Sequence, residues 1–222
     1  MTDLRIALIS ATPLAIEPAA SAMRSAFPDA TVWNLLDDRL LADAQTEGGI
    51  TDRLAARMDR MIESALAGGA DGVLLTCSQY GRRAELRDPH ADGAVVLSAD
   101  GPLFDEAVDL RPDRVLLVAS LTSAAADSSA RLSTAFQAAG QAPTVEPLIV
   151  PAAAEPLAPD ALAATLIESI AQVEPGYDVI VLAQFSLASA ASAIAEFFSR
   201  PVLDGPAAAA RRLASAVQDR RS

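Results

Sequence analysis

Short runs of apolar residues alternate with longer amphipathic segments along most of the chain. Seven runs are rich in β-branched residues or leucine: RIALIS (5–10), TVWNL (31–35), GVLLT (72–76), AVVLS (94–98), RVLLVAS (114–120), EPLIV (146–150) and DVIVLA (178–183). Continuous apolar strands of this kind are typical of parallel sheets that helices cover. Helical patterns lie at 15–27, 50–66, 123–139, 162–172, 186–198 and 206–217. The alternation predicts an α/β fold built from parallel sheets.

Two of these strands have close counterparts in the second half of the chain. The strand that begins after Asp71 resembles the one after Asp178, 107 residues later, and in both the acidic residue lies six positions before the residue that ends the strand. The run that starts at Arg5 resembles the run at Arg114, 109 residues later. Two matched pairs at nearly equal spacing indicate an internal duplication. The alternative, a chance likeness between apolar strands, stays open.

A duplication predicts two similar α/β subdomains. We expect residues 1–99 with 201–222 to form the first, and residues 100–200 to form the second, with crossings near Gly101 and Pro201. The last helix would then return to cover the first half. Because ligands of open α/β sheets bind outside the carboxyl ends of the strands, we expect the site between the two halves.

The composition excludes several classes of chemistry. The 222 residues are 51% hydrophobic, which is enough for a sizeable core, and 17 basic against 29 acidic residues give a net charge of -12. Neither a nucleic acid nor an anionic membrane is a natural partner for such a chain. All the basic residues are arginine. A Schiff-base lysine, a pyridoxal enzyme and a lysine-bearing phosphate loop are therefore excluded.

Metal and cofactor sites have little support in the sequence. One cysteine and one histidine exclude an intrachain disulfide and a Cys/His zinc cluster. The pair at Gly68 and Gly69 lacks the glycine pattern of a dinucleotide site. The apolar run 6–9 is too short for a signal peptide, and no uninterrupted apolar stretch approaches the roughly 18 residues that span a bilayer. We expect a cytoplasmic protein without cofactor or metal.

The single cysteine is the first candidate for chemistry. Cys77 follows the apolar run 72–76, so its thiol is expected at the carboxyl end of a strand and beside a following turn or helix, where backbone N–H groups favour the thiolate. Thr76 and Ser78 flank it, and hydroxyl and N–H donors beside a thiol can hold a carboxylate. The alternative is a small buried hydrophobic residue, the common role of a free cysteine.

Polar residues in predicted loops are weaker candidates. His90 lies in the loop DPHADG (88–93), where a surface histidine is the commoner outcome. Asp37 and Asp38 follow the second strand and could bind a metal or orient a substrate. A solvated loop or a helix cap is the more common role of such a pair.

Five short motifs together resemble the aspartate/glutamate/hydantoin racemase superfamily, and the similarity covers essentially the whole chain. They are SATP (10–13), LTCS (75–78), ASLTS (119–123), LAQFSLA (182–188) and PVLDGP (201–206). The resemblance implies two similar α/β subdomains related by a pseudo-twofold axis, with the site in the cleft.

The resemblance also implies roles for single residues. Racemases of this family use two cysteines on opposite sides of the substrate carbon; Cys77 matches the first, whereas Gln184 stands at the second. An amide has no useful acid/base behaviour at neutral pH, which argues against racemisation by two cysteines. Arylmalonate decarboxylases, which need one cysteine, and maleate isomerases, whose first-half cysteine is a nucleophile, belong to the same superfamily. Decarboxylases carry their cysteine in the second half.

By the same matching, hydroxyl-bearing residues and their neighbours are expected to bind the substrate. These are Thr12 and Pro13 in the first loop, Thr76 and Ser78 beside the cysteine, Ser120 and Ser123 in the middle motif, and Phe185 and Ser186 in the late motif. Ordinary turn or cap residues are the alternative for the serines and threonines.

The sequence therefore predicts a cofactor-independent, racemase-like isomerase that acts on a small carboxylate through Cys77. The alternatives are a decarboxylase or other lyase, and a carboxylate-binding protein without turnover. A homo-oligomer is compatible with the sequence.

Overall fold

The computed structural model describes residues 4–87, 93–173 and 175–221. The chain divides into two compact units, Met1–Gly101 with Ala209–Ser222 and Pro102–Ala208. No helix in the described ranges is long and apolar enough to cross a membrane.

Unit 1 contains a four-stranded parallel sheet with the order β2-β1-β3-β4. Its strands are β1 (Arg5–Ser10), β2 (Thr31–Leu36), β3 (Gly72–Leu75) and β4 (Val95–Leu97). Its helices are α1 (Ile16–Ala26), α2 (Leu40–Thr46), α3 (Asp52–Ala67) and α4 (Arg82–Glu85), and short 3₁₀ turns lie at Pro13–Ala15 and Ser78–Tyr80. One face of α3 supplies Leu54, Met58 and Ile62 to the core, at the spacing of successive helical turns.

Unit 2 repeats this arrangement with the order β6-β5-β7-β8, again parallel. Its strands are β5 (Arg114–Ala119), β6 (Thr144–Ile149), β7 (Val179–Leu182) and β8 (Val202–Asp204). Its helices are α5 (Gly101–Asp109), α6 (Thr122–Ala138), α7 (Pro159–Ile170) and α8 (Ala191–Phe198), with 3₁₀ turns at Pro151–Ala154 and Phe185–Ala190. The division between the units falls inside the last helix, α9 (Gly205–Arg221).

The acidic residues of the sequence repeat have the same role in both units. The Asp71 carboxylate accepts a hydrogen bond from the backbone N–H of Arg5 at 2.8 Å, and the Asp178 carboxylate accepts one from the N–H of Arg114 at 2.9 Å. Each carboxylate thus joins the start of its own strand to the start of the neighbouring strand. The predicted α/β class, with two similar parallel sheets flanked by helices, is confirmed.

The structure differs from the predicted elements in four places. Helices α2, α4 and α5 and strand β8 were not predicted. The three helices have at most nine residues, too few for a clear periodic pattern. Residues 201–208 were expected with the first subdomain, but β8 is paired with β7 and these residues lie in unit 2.

The terminal strands β2 and β6 show the same pattern of exposure along their lengths. Pro147 lies in the middle of β6, opposite Leu117 of β5. The N–H of Thr144 donates to the carbonyl oxygen of Asp113, just before β5, and the N–H of Val150 donates to that of Ala119 at the end of β5. Because alternate residues of a strand point the same way, the nitrogen of Pro147 points to the outer edge, and the missing N–H costs no hydrogen bond of the sheet.

Candidate functional site

Cys77 lies where β3 gives way to a tight turn in unit 1. Its backbone is extended (φ -112°, ψ 117°), and it immediately precedes the 3₁₀ turn Ser78–Tyr80. The residue is buried, with 8% of its surface exposed. The helix that follows, α4, has only four residues, so the backbone N–H groups of the turn are more important than a helix dipole for any stabilisation of a thiolate.

Two hydroxyl groups join the ends of β1 and β3 beside the cysteine. The Ser10 and Thr76 side-chain oxygens lie 2.9 Å apart and share a hydrogen bond, and the Thr76 hydroxyl lies 3.4 Å from the carbonyl oxygen of Ile9. Both residues are buried. The Thr76 hydroxyl, predicted to bind substrate, therefore has partners within the protein.

Tyr80 holds the turn after Cys77 in place. Its ring is completely buried, its hydroxyl donates to the carbonyl oxygen of Leu40 at 3.0 Å, and its backbone N–H donates to the carbonyl oxygen of Cys77 at 3.2 Å. Burial raises the pKa of Tyr80 to about 12, and a negative charge on Cys77 acts in the same direction. The phenol is thus a permanent donor at neutral pH. Sequence reasoning missed this role, although Tyr80 is the only aromatic residue near Cys77 in the chain.

The carboxylate of Asp37 is engaged by an arginine. Arg57 of α3 donates to both Asp37 oxygens, with nitrogen–oxygen distances of 2.6 to 3.0 Å, and to Asp43 at 2.7 Å. The hydrogen bond from Arg57 lowers the pKa of Asp43, and Asp43 and Asp37 together raise the pKa of Arg57. Asp37 thus anchors α3 to the loop after β2, and Asp38 is exposed. No group of three metal-binding side chains occurs among the described residues.

The other predicted residues of unit 1 lie at the ends of the same strands. Thr12 caps the turn Pro13–Ala15, and its hydroxyl accepts a hydrogen bond from the N–H of Leu14 at 3.4 Å. Pro13 is exposed, whereas Ser78 is buried. His90 lies outside the described residues.

In unit 2, Gln184 lies at the position that Cys77 holds in unit 1. The strand registers pair Leu75 with Ile9 and Leu182 with Val118, so the second residue after each of β3 and β7 corresponds. The Gln184 backbone is also extended (φ -138°, ψ 140°) and precedes a 3₁₀ turn. Its side-chain oxygen accepts hydrogen bonds from the N–H and the hydroxyl of Ser120, at 2.6 and 3.0 Å.

The remaining candidates of unit 2 differ in accessibility. Phe185 is buried, with 3% of its surface exposed, so little of its ring is available to a ligand. Ser186 is partly exposed in the same turn, and Ser123 is exposed in the first turn of α6. The structure thus brings Ser120 and Gln184 into contact, and Cys77 and Gln184 belong to different units.

The two units define a class of fold that solved structures share, although no protein-family profile and no curated protein matches the sequence. Similar structures include racemases for amino acids and for allantoin, and a decarboxylase. The predicted resemblance to the aspartate/glutamate/hydantoin racemase superfamily is therefore confirmed at the level of the fold.

Three of these structures show the extent of the likeness. Allantoin racemase from Klebsiella pneumoniae has 18% identity and a TM-score of 0.70, and the match covers 97% of this chain and 88% of that one. A glutamate racemase isoform from Bacillus anthracis has 12% identity and a TM-score of 0.74, over 98% and 82% of the two chains. Unliganded arylmalonate decarboxylase has 17% identity and a TM-score of 0.59, over 95% and 92%.

Proposed function

We propose that the protein is a cofactor-independent, racemase-like isomerase that acts on a small carboxylate, with Cys77 as its reacting group. One observation carries the proposal: the single cysteine lies at the carboxyl end of a central strand, in a turn fixed by Tyr80, in a fold similar to that of racemases. Loops at this end of a parallel sheet commonly bind ligands.

The thiolate can act in two ways. As a base, it removes the proton from the carbon next to a carboxylate, and the electron pair of the broken C–H bond moves into the carboxylate. The thiol can return a proton to the same face, which gives exchange only. Inversion of the carbon needs a proton delivered by water to the opposite face, after which the Cys77 thiol loses its proton to water. As a nucleophile, it adds to the double bond of an unsaturated dicarboxylate, the remaining C–C bond rotates, and the thiolate leaves again. Hydroxyl and backbone N–H donors stabilise the negative oxygen in either case.

Decarboxylation is the second candidate, favoured by the structural likeness to arylmalonate decarboxylase. A malonate would lose carbon dioxide, the electron pair of the broken C–C bond would remain as an enediolate, and the Cys77 thiol would protonate the carbon. The third candidate is a protein that binds carboxylates without turnover.

A substrate screen in deuterated water tests these candidates. Amino acids, hydantoins, malonates and maleate are each incubated with the protein, and deuterium uptake, isomerisation and carbon dioxide release are followed by NMR and mass spectrometry. We expect one activity in the wild type and its loss in Cys77→Ala. Ser64→Ala, at an exposed position of α3, is the matched control and should retain it. Binding without any of these reactions would contradict turnover.

Alkylation tests Cys77 without knowledge of the substrate. An activated thiolate reacts with iodoacetamide at pH 7 faster than an ordinary thiol, whose pKa is about 8.5. We expect fast alkylation that a bound carboxylate such as malonate slows. The rate of an ordinary cysteine, unchanged by any carboxylate in the screen, would favour a packing role.

A further inference from the structure

The contact of Ser120 with Gln184 determines which way the amide of Gln184 faces. A backbone N–H can only donate, so the Gln184 atom at 2.6 Å from the Ser120 nitrogen must be the oxygen, Oε1. The Ser120 hydroxyl, at 3.0 Å, donates to the same atom. The nitrogen, Nε2, therefore faces away from Ser120.

Both donors of Ser120 are used by this contact. Ser120 is buried, with 3% of its surface exposed, and its N–H and O–H groups both donate hydrogen bonds to Oε1 of Gln184. Neither proton can reach a ligand while the contact holds. This contrasts with the expectation from the sequence that Ser120 binds the substrate carboxylate directly.

The amide nitrogen of Gln184 is the donor that remains. Gln184 is partly exposed, and none of the described residues accepts a hydrogen bond from Nε2. An amide N–H₂ group offers two donors and no acceptor. Because two hydrogen bonds hold the other end of the amide, little side-chain entropy is lost when Nε2 binds a ligand.

We propose that Ser120 is a positioning residue that presents Nε2 of Gln184 to an oxygen atom of the ligand, either a carboxylate or a neutral carbonyl oxygen. The inference rests on the proposed function, which it deepens: the group of the ligand that meets Gln184 is a hydrogen-bond acceptor and not an ammonium. Gln184 thus selects the ligand instead of transferring a proton.

An isosteric substitution tests the direction of this hydrogen bond. Gln184→Glu keeps an oxygen for Ser120 to bind but replaces the Nε2 donor by a negatively charged acceptor. Malonate serves as the carboxylate probe and hydantoin as the neutral carbonyl probe, and the side-chain amide resonance of Gln184, assigned by its disappearance in Gln184→Glu, reports binding. We expect at least one probe to shift this resonance in the wild type, and which one does identifies the source of the oxygen.

The variants are expected to weaken binding of the probes to different extents. Gln184→Glu should weaken malonate about 10-fold or more through lost hydrogen bonding and charge repulsion, whereas Gln172→Glu, the same charge change at an exposed position, should leave it unchanged. Ser120→Ala should weaken the responding probe about 3- to 10-fold and speed hydrogen exchange of the Gln184 amide even without ligand. Ser120→Thr, which keeps the hydroxyl, should have the probe affinity and the amide exchange rate of the wild type.

Three outcomes would overturn the inference. In the first, neither probe shifts the Gln184 resonance. In the second, Gln184→Glu binds malonate as tightly as the wild type does; in the third, Ser120→Ala changes neither the hydrogen exchange of the Gln184 amide nor the affinity for the responding probe. Failure of the proposed function is a separate result. In that case Cys77 supports no reaction in the substrate screen, while the Gln184 resonance still responds to the probes and depends on Ser120.

Discussion

The two units have the same backbone conformation after their third strands, β3 and β7, but side chains of different reactivity at that position. Cys77 and Gln184 are both extended and both precede a 3₁₀ turn. Their carbonyl oxygens both accept the N–H three residues on, from Tyr80 at 3.2 Å and from Leu187 at 3.0 Å. One position carries a group that can ionise and attack, and the other carries a neutral amide.

The neighbouring side chains differ in the same way. The hydroxyl pair of Ser10 and Thr76 in unit 1 corresponds by strand register to Ala119 and Ala183 in unit 2. Ser120, which holds Gln184, corresponds to Ala11. Repetition of the backbone thus fixes where a functional residue is placed, whereas each unit has its own hydrogen-bond network for the residue it holds.

The largest effect is expected when the two positions are made alike. Gln184→Cys adds a second thiol at the repeat-equivalent position, so a reaction with one stereochemical outcome should become a racemisation, with the disfavoured proton transfer about 100-fold faster or more. Chiral chromatography of the product measures the change. Gln172→Cys, a second thiol at an exposed position, is the control. A wild-type protein that already interconverts both enantiomers at equal rates, with no effect of Gln184→Cys, would show that another residue serves the second face.

The hydroxyl pair of unit 1 can be converted to the alanine pair of unit 2. Ser10→Ala or Thr76→Ala alone leaves a buried hydroxyl with one partner fewer, and each should lower the free energy of unfolding by about 1 to 2 kcal/mol. The double variant should cost less than the sum of the two, by about 1 kcal/mol. Urea unfolding measures the cycle. Strict additivity would mean that the two hydroxyls do not stabilise each other.

The two tyrosines, Tyr80 in unit 1 and Tyr177 in unit 2, can be compared by removing the hydroxyl of each and measuring the free energy of unfolding. Tyr80→Phe leaves the carbonyl of Leu40 without this donor and should destabilise the protein by about 1 kcal/mol. Tyr177→Phe in unit 2 removes a longer bond, 3.3 Å to Ile170, and should cost less. Only Tyr80→Phe should also alter the alkylation rate of Cys77. An equal effect of both variants on that rate would argue against a role of Tyr80 in holding the cysteine.

The smallest effect is expected for the contribution of Asp178, the repeated acidic residue of unit 2, to stability. Hydrogen bonds from the N–H groups of Arg114 and Asp113 lower the pKa of Asp178. A carboxylate with a lowered pKa stabilises the fold fully above its unfolded pKa of about 3.9, and this contribution is lost as the pH falls through the lower folded value. The Tm difference between the wild type and Asp178→Asn should therefore shrink below about pH 4. Asp109→Asn, at an exposed position of unit 2, controls for the loss of charge; a difference that does not change with pH would contradict the role of Asp178.

Apolar strands could be predicted from the sequence because their signal is local. The runs around β1, β3, β5 and β7 are buried on both faces, and the likeness of the segments after Asp71 and Asp178 indicated the repeat that the sheets show. The position of Cys77 after a strand followed from the same signal.

Contacts between distant residues could not be predicted in this way. Arg57 meets Asp37 across 20 residues, and Ser120 meets Gln184 across 64, and no periodic pattern records either contact. The resemblance gave Ser120 a direct role toward the substrate, whereas in the structure both of its donors are bound to Gln184. Only the three-dimensional arrangement shows that both donors are engaged in this way.

Pro147 gives the terminal strands β2 and β6 unequal resistance to aggregation. A terminal strand with an unbroken row of outward N–H groups can accept a strand from another chain. In β6 the proline removes one of these donors and Glu146 precedes it, whereas the matching stretch of β2 is Trp33 and Asn34, with every outward N–H present. Intermolecular strand pairing under destabilising conditions should therefore occur more readily at β2 than at β6, and a charged residue in place of Asn34 would be the substitution to suppress it at β2.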